Sequence, residues 1–265
     1  MWLWLTERTG LARVWQVLFE RRLPTLNGPA AWLYTLGSAT LFVWLVQVLT
    51  GILLAMNYVP SPDHAYDSVR YINEQVFLGR FVRGLHHWGA SVMVVLVTLH
   101  LLRVYFMGAY KYPREATWMT GVLLFLLVLS FGFTGYLLPW DQKAYWATAV
   151  GTQLVGQTPG IGPMVVKLLW GGEDMGAATL TRFYALHVLV LPLVTVLLIG
   201  AHLFLVVWHG LSEPPARQRT QDAAECRGFV ASRNEECGPQ IRIPHHSANT
   251  STGTVFQKLM ASPPK

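Results

Sequence analysis

Four long apolar segments, roughly 30–58, 82–107, 118–139 and 183–208, dominate the chain. Each exceeds the ~20 residues a helix needs to cross a hydrocarbon core. Backbone polar groups in lipid must be satisfied inside their own segment, so such segments fold as helices and pack as a bundle. Composition agrees: 52% of the 265 residues are apolar or aromatic and only 13% are charged, about half the charged share of a soluble domain. The expected fold class is all-α, a transmembrane four-helix bundle over residues 30–210, with an N-terminal interfacial amphipathic helix over 1–29 and a polar C-terminal tail over 211–265.

The opening residues mix Trp2, Leu5, Leu11, Trp15, Leu18 and Phe19 with arginines and lack the apolar core of a signal peptide, which points to a helix lying in the interface. Between the third and fourth spans lies a loop of about forty residues with an apolar stretch at 145–154 and a Gly/Pro-rich turn at 158–163; loops of that length are functional or partly helical. The tail begins at Ser212-Glu213-Pro214-Pro215 and carries both cysteines, Cys226 and Cys237. Two cysteines make no disulfide framework, and the absence of any C-x-x-C-H excludes covalent c-type haem attachment through that motif.

A net charge of +6 suggests nucleic acid, but basic residues flanking membrane spans give the same total, and nucleic-acid binding is set aside. Four spans leave both ends on one side. Fourteen of the 20 lysines and arginines fall on that side; the other six are Arg70, Arg80, Arg83, Lys143, Lys167 and Arg182. By the positive-inside rule both termini are expected in the cytoplasm, the chain being a multi-pass protein of the inner (cytoplasmic) membrane.

All fourteen acidic residues lie outside the spans, and the spans hold no lysine. A proton pump or cation channel places Asp or Glu at depth; this chain places His86 and His100 on span two, and His187 and His202 on span four. Those steps are 14 and 15 residues. Fourteen steps bring a helical side chain back about 40° short of its starting face, fifteen carry it about 60° past, and either covers roughly 21 Å of axis. Both pairs therefore stay on one face. Spans two and four run in the same direction, so His86 meets His187 at one level and His100 meets His202 at the other.

Two facing imidazoles at each of two depths suit the axial ligation of two b-type haem irons by helices of a bundle. Gly37 and Gly51 on span one, and Gly121 and Gly135 on span three, repeat the same 14-residue step. Glycine weakens a helix, and its use at this period fits a porphyrin pressed against bare backbone. Arg83 and Arg103 flank the two histidines of span two, where a guanidinium can pair with a haem propionate. His87 projects about 100° from His86 and is read as an interfacial or propionate-side residue. His64, His209, His245 and His246 are read as solvated.

Three motifs now stand together: Gly84-Leu85-His86-His87-Trp88, Thr134-Gly135-Tyr136-Leu137-Leu138-Pro139-Trp140-Asp141, and Thr179-Leu180-Thr181-Arg182-Phe183-Tyr184-Ala185-Leu186-His187. With them the chain resembles, over about 34–210, the N-terminal haem-binding half of cytochrome b from Rieske/cytochrome b complexes. Because it holds four spans, it looks like the split cytochrome b6 form, whose remaining helices sit in a separate subunit. The resemblance implies a dihaem subunit of a quinol:cytochrome c or plastocyanin-type oxidoreductase running a Q cycle. A low-potential haem on His86 and His187 would lie near the outer face, and a high-potential haem on His100 and His202 near the cytoplasm. Tyr136, Trp140 and Tyr145 would line the outer quinol pocket, with Ile161-Gly162-Pro163 beside them.

Implied partners are a Rieske iron-sulfur protein, a short three- or four-helix subunit carrying the Pro-Glu-Trp-Tyr motif that this chain lacks, a c-type cytochrome, and a second copy of the complex. Two further departures matter. Thr35 stands where the b6 branch has a cysteine tethering an extra haem, so no covalent third haem is expected; Val207 replaces a basic residue near the inner quinone site, leaving His209 or Arg22 as substitutes. A dihaem membrane anchor of a dehydrogenase or hydrogenase, and a non-catalytic haem-handling membrane protein, use the same residue types without this matched spacing or these glycines.

Overall fold

The computed structural model describes residues 29–210 and Ser212. The expected interfacial helix with Arg22, and the tail with Cys226, Cys237, His245 and His246, lie outside the described residues. Every regular element among the described residues is helical. A 3-10 turn, Pro29–Thr35, leads into α1, Leu36–Ala55. α2, Ala65–Glu74, follows, then α3, Gly79–Phe106, and α4, Glu115–Leu137. The long loop folds into α5, Gln142–Gly156, and α6, Gly162–Trp170. α7, Ala177–Ala185, continues through one π turn, Leu186–Val190, into α8, Leu191–His209.

Four helices are long and apolar enough to cross a bilayer: Trp32–Ala55, Gly79–Phe106, Glu115–Leu137 and Ala177–His209. The last begins at Ala177 rather than near Phe183, because the π turn joins α7 to α8 without a break. α2 has no counterpart in the sequence reading. It is short and half polar, and it buries only the stripe Ala65, Ser68 and Ile72.

α1 packs along α3 and α4 along α8, with α3 adjoining α4. The best-buried layer lies at one end of this bundle, where α5, α6 and α7 close over the end of α4. Leu137, Thr148, Thr152, Thr179, Leu180 and Phe183 are fully buried there. Threonines tie the layer together: the Trp170 indole donates to Thr152 Oγ1 (2.9 Å), and Thr179 Oγ1 donates to the Trp170 carbonyl (2.9 Å). Asp141 starts α5 by accepting the Ala144 amide on Oδ1 at 2.8 Å, a standard N-cap. The turn before it holds Trp140 at φ 52°, a left-handed conformation that costs an L-residue about 1–2 kcal/mol. Large apolar side chains such as Phe42, Leu49, Val95, Leu126 and Leu197 point outward from the spans, as a lipid-solvated surface requires.

Candidate functional site: two levels of paired histidines

His86 and His187 face each other from α3 and the π turn, with ring centroids 6.4 Å apart and planes at 73°. A metal–imidazole bond is about 2.0–2.1 Å, and an imidazole centroid lies ~1.2 Å behind its nitrogen, so two imidazoles on opposite sides of one metal have centroids about 6.4 Å apart. The observed spacing is that of a bis-imidazole site. On the other level, His100 and His202 are near enough to interact electrostatically.

Every one of the four glycines meets one of the four histidines. A Cβ on Gly51 would lie 3.3 Å from His86 Cε1, on Gly37 3.2 Å from His100 Cε1, on Gly121 3.4 Å from His202 Cε1, and on Gly135 2.6 Å from His187 Cε1. An imidazole edge fills each of the four cradles. These contacts also show that α1 runs antiparallel to α3, and α4 to α8, so each helix pair serves both levels.

Three threonines, unremarked in the sequence reading, orient the rings. Thr50 Oγ1 donates to the Val46 carbonyl (2.7 Å) and lies 2.9 Å from His86 Nδ1. Thr134 Oγ1 donates to the Ser130 carbonyl (2.7 Å) and lies 3.0 Å from His187 Nδ1. Thr120 Oγ1 donates to the Thr117 carbonyl (2.9 Å) and lies 2.9 Å from His202 Nδ1. A hydroxyl has one hydrogen, here committed to the helix carbonyl, so its oxygen accepts from Nδ1–H. That fixes the tautomer and leaves the Nε2 lone pair free for a metal. The sequence signal is the dipeptide Thr-Gly at 50–51, 120–121 and 134–135; at the fourth place it reads Leu36-Gly37. Accordingly, among the described residues His100 Nδ1 is buried with no hydrogen-bond partner.

The 15-residue step of span four also finds its reason. The Leu191 amide bonds to the Leu186 carbonyl, an i to i+5 closure, and one such π turn takes up one extra residue. His187 and His202 therefore share the phase of a 14-residue step, matching His86 and His100. Pro192 follows directly and would clash with the carbonyl four residues before it in a regular α-helix; the wider turn removes that clash.

Arg103 stacks its guanidinium 3.7 Å over the Tyr34 ring, and among the described residues its Nε and Nη2 are buried without acceptors. Two guanidinium nitrogens, carrying three N–H groups between them, are thus held ready for an anion. Arg83 is half-buried and lines an open cleft of about 550 Å³ with Arg80, His87 and Asn73. His87 is exposed, its ring edge-on to Trp88 at 5.7 Å, and His64 is exposed at the start of α2. The structure brings Trp140 and Tyr145 together edge to face at 5.5 Å; Tyr136 stands exposed nearby in sequence, at the end of α4. Ile161 precedes α6, and Gly162 lies so close to the Gly156 carbonyl that no side chain fits. Thr35 turns its hydroxyl to the Trp32 carbonyl (2.7 Å). His209 Nδ1 lies 3.1 Å from the Leu205 carbonyl of its own helix, and Val207 sits one turn from the helix end.

Membrane-length helices carrying two tiers of paired imidazoles over glycine cradles, three of the four with a threonine oxygen on Nδ1, define a class of integral membrane haem protein. The chain matches the family model described as cytochrome b/b6/petB over residues 25–210. It is 47% identical over 216 residues to the menaquinol:cytochrome c reductase cytochrome b subunit of Bacillus subtilis (strain 168), covering 80% of this chain and 96% of that one. It is 43% identical over 214 residues to the cytochrome b6 of Heliobacterium mobile, covering 80% and 99%. Among solved structures, a chain of a "Hyperthermophilic respiratory Complex III" superposes with a TM-score of 0.71 at 26% identity; the match covers 98% of this chain and 65% of that chain. This chain belongs to the cytochrome b/b6 family, a family of haem proteins, and is an integral, multi-pass membrane protein.

Proposed function

We propose that this chain is the dihaem, split-type cytochrome b subunit of a quinol:cytochrome c or plastocyanin-type oxidoreductase working in a Q cycle. The observation that carries the reading is the His86–His187 pair at 6.4 Å, with its counterpart in His100 and His202. His86 and His187 would hold one b-type haem and His100 and His202 the other. Arg103, whose Nε and Nη2 have no acceptor among the described residues, and Arg83, which lines an open cleft with Arg80 and His87 beside Glu74, support propionate roles for both arginines. When bound, the haems supply one-electron redox centres at two depths of the bilayer.

The residues of the chain do the rest. Threonine oxygens hold His86, His187 and His202 in one tautomer, and glycine cradles seat all four imidazoles. Trp140 and Tyr145, packed edge to face, would give the outer quinol pocket a rigid aromatic wall, with Tyr136 and the Ile161-Gly162-Pro163 turn completing this chain's share. The proton-accepting carboxylate there would come from the partner subunit that carries Pro-Glu-Trp-Tyr. One electron leaves for a Rieske iron-sulfur protein and on to a c-type cytochrome. The second crosses to the cytoplasmic face and reduces quinone there. A full crossing against 100 mV stores about 2.3 kcal/mol. Thr35 at the tether position argues for no covalent third haem, and the working form is a dimer of the complex.

The test is a dithionite-minus-ferricyanide spectrum of membranes with stepwise redox titration, using menaquinol, the quinol named for the Bacillus relative, as donor. Two b-type components are expected, together with oxidant-induced reduction when the inner site is inhibited. His86→Ala is expected to remove one component and block quinol oxidation, and His202→Ala to remove the other. A colourless chain, or a spectrum that neither substitution alters, would overturn the proposal.

A further inference from the structure

The two levels are not equivalent in how their imidazoles are supported. At the level of His86 and His187 both rings have a threonine oxygen on Nδ1–H, from Thr50 at 2.9 Å and Thr134 at 3.0 Å. At the other level Thr120 supports His202 at 2.9 Å, but Leu36 takes the fourth threonine's place and His100 Nδ1 has no partner among the described residues. The glycine cradle is intact there, with a Gly37 Cβ position 3.2 Å from His100 Cε1. Only the hydroxyl is missing.

An acceptor on Nδ1–H draws the ring toward imidazolate and makes Nε2 a stronger donor. A stronger donor favours ferric over ferrous iron and lowers the reduction potential, one of the protein's levers on a haem. We propose that the Thr, Thr, Thr, Leu pattern immediately before the four glycines sets the order of potentials: the doubly supported level of His86 and His187 is held low, and the singly supported level of His100 and His202 is left higher. Electrons then fall from the α5–α7 end of the bundle toward the opposite end by the chain's own design. Thr50, Thr120 and Thr134 act through their histidines and are positioning residues. This rests on the dihaem reading above.

The experiment is potentiometric titration of the two b-type components in membranes holding the assembled complex, read optically and by the low-spin ferric electron paramagnetic resonance of each centre. Leu36→Thr is expected to lower the midpoint of the His100/His202 component and leave the other in place. Thr50→Val, close to isosteric, is expected to raise the midpoint of the His86/His187 component, and Thr50→Ser to restore it. The valine and serine variants carry the test alone if Leu36→Thr does not assemble. Should both components persist in Thr50→Val and Thr120→Val with unmoved midpoints, the inference is overturned while the dihaem reading stands. Should no b-type component form in the unsubstituted complex, the dihaem reading itself fails.

Discussion

A single methyl group tests the glycine cradles. A Cβ at Gly135 would sit 2.6 Å from His187 Cε1, closer than a carbon can approach, whereas one at Gly121 would sit 3.4 Å from His202 Cε1, an ordinary contact. Gly135→Ala is therefore expected to displace His187, at an overpacking cost of about 1–3 kcal/mol, and to lower haem per polypeptide toward one. Gly121→Ala is expected to keep two. Pyridine haemochrome assay against protein concentration separates the outcomes. At this scale the histidines and glycines were legible because each type repeats at a period that stands out in an apolar stretch. The threonines were not, since a hydroxyl inside a span ordinarily satisfies only its own helix. Their second bond, to a ring on another helix, becomes visible only when the helices are side by side.

The helices tell a similar story of phase. Steps of 14 and 15 residues look slightly mismatched in sequence, and the π turn at Leu186–Val190 is what reconciles them. Such a turn has no compositional signature beyond the nearby Pro192. Deleting Leu189 together with Pro192→Ala is expected to regularise the helix and retain both b-type components, because His187 and His202 would then be 14 residues apart as His86 and His100 are. Inserting one alanine after Leu197 is expected to turn His202 away by about 100° and abolish the component it serves, as a difference spectrum would show. α2 escaped the sequence reading for a different reason: it is only ten residues long, far short of a span, and it buries just three of them. The loop after α4 was read as functional or partly helical, and it folds as α5 and α6 around a buried threonine network that hydropathy does not register.

For the whole molecule, four spans and one family were legible from hydropathy and motifs, while sidedness rested on charge counting. The proposed orientation is open to direct measurement: a membrane-impermeant thiol reagent is expected to label Cys226 and Cys237 in inside-out vesicles and not in right-side-out ones. Stability at high pH offers a second check on how the spans are joined. The Tyr58 hydroxyl donates to the Leu138 carbonyl at 2.6 Å, and its ring stacks on Tyr184 at 5.5 Å, linking the ends of α1, α4 and α7. Burial first, and the nearby Tyr184 second, hold its ionisation above the ordinary tyrosine value of 10.0. An unfolded chain loses that proton from about pH 10 upward while the folded one keeps it, so stability is full below that value and declines as pH rises above it. Tyr58→Phe is expected to flatten that decline in thermal melts run from pH 8 to 11.

The antiparallel pairing of α1 with α3, and of α4 with α8, carries a consequence for how the protein comes together. Each hairpin brings one imidazole and its bare-backbone seat to both depths, and neither hairpin owns a whole clamp at either. Cut between α3 and α4 and made as two fragments, the halves would meet along a seam whose fasteners are the cofactors themselves, so iron porphyrin supply, and not apolar contact alone, would govern whether they join.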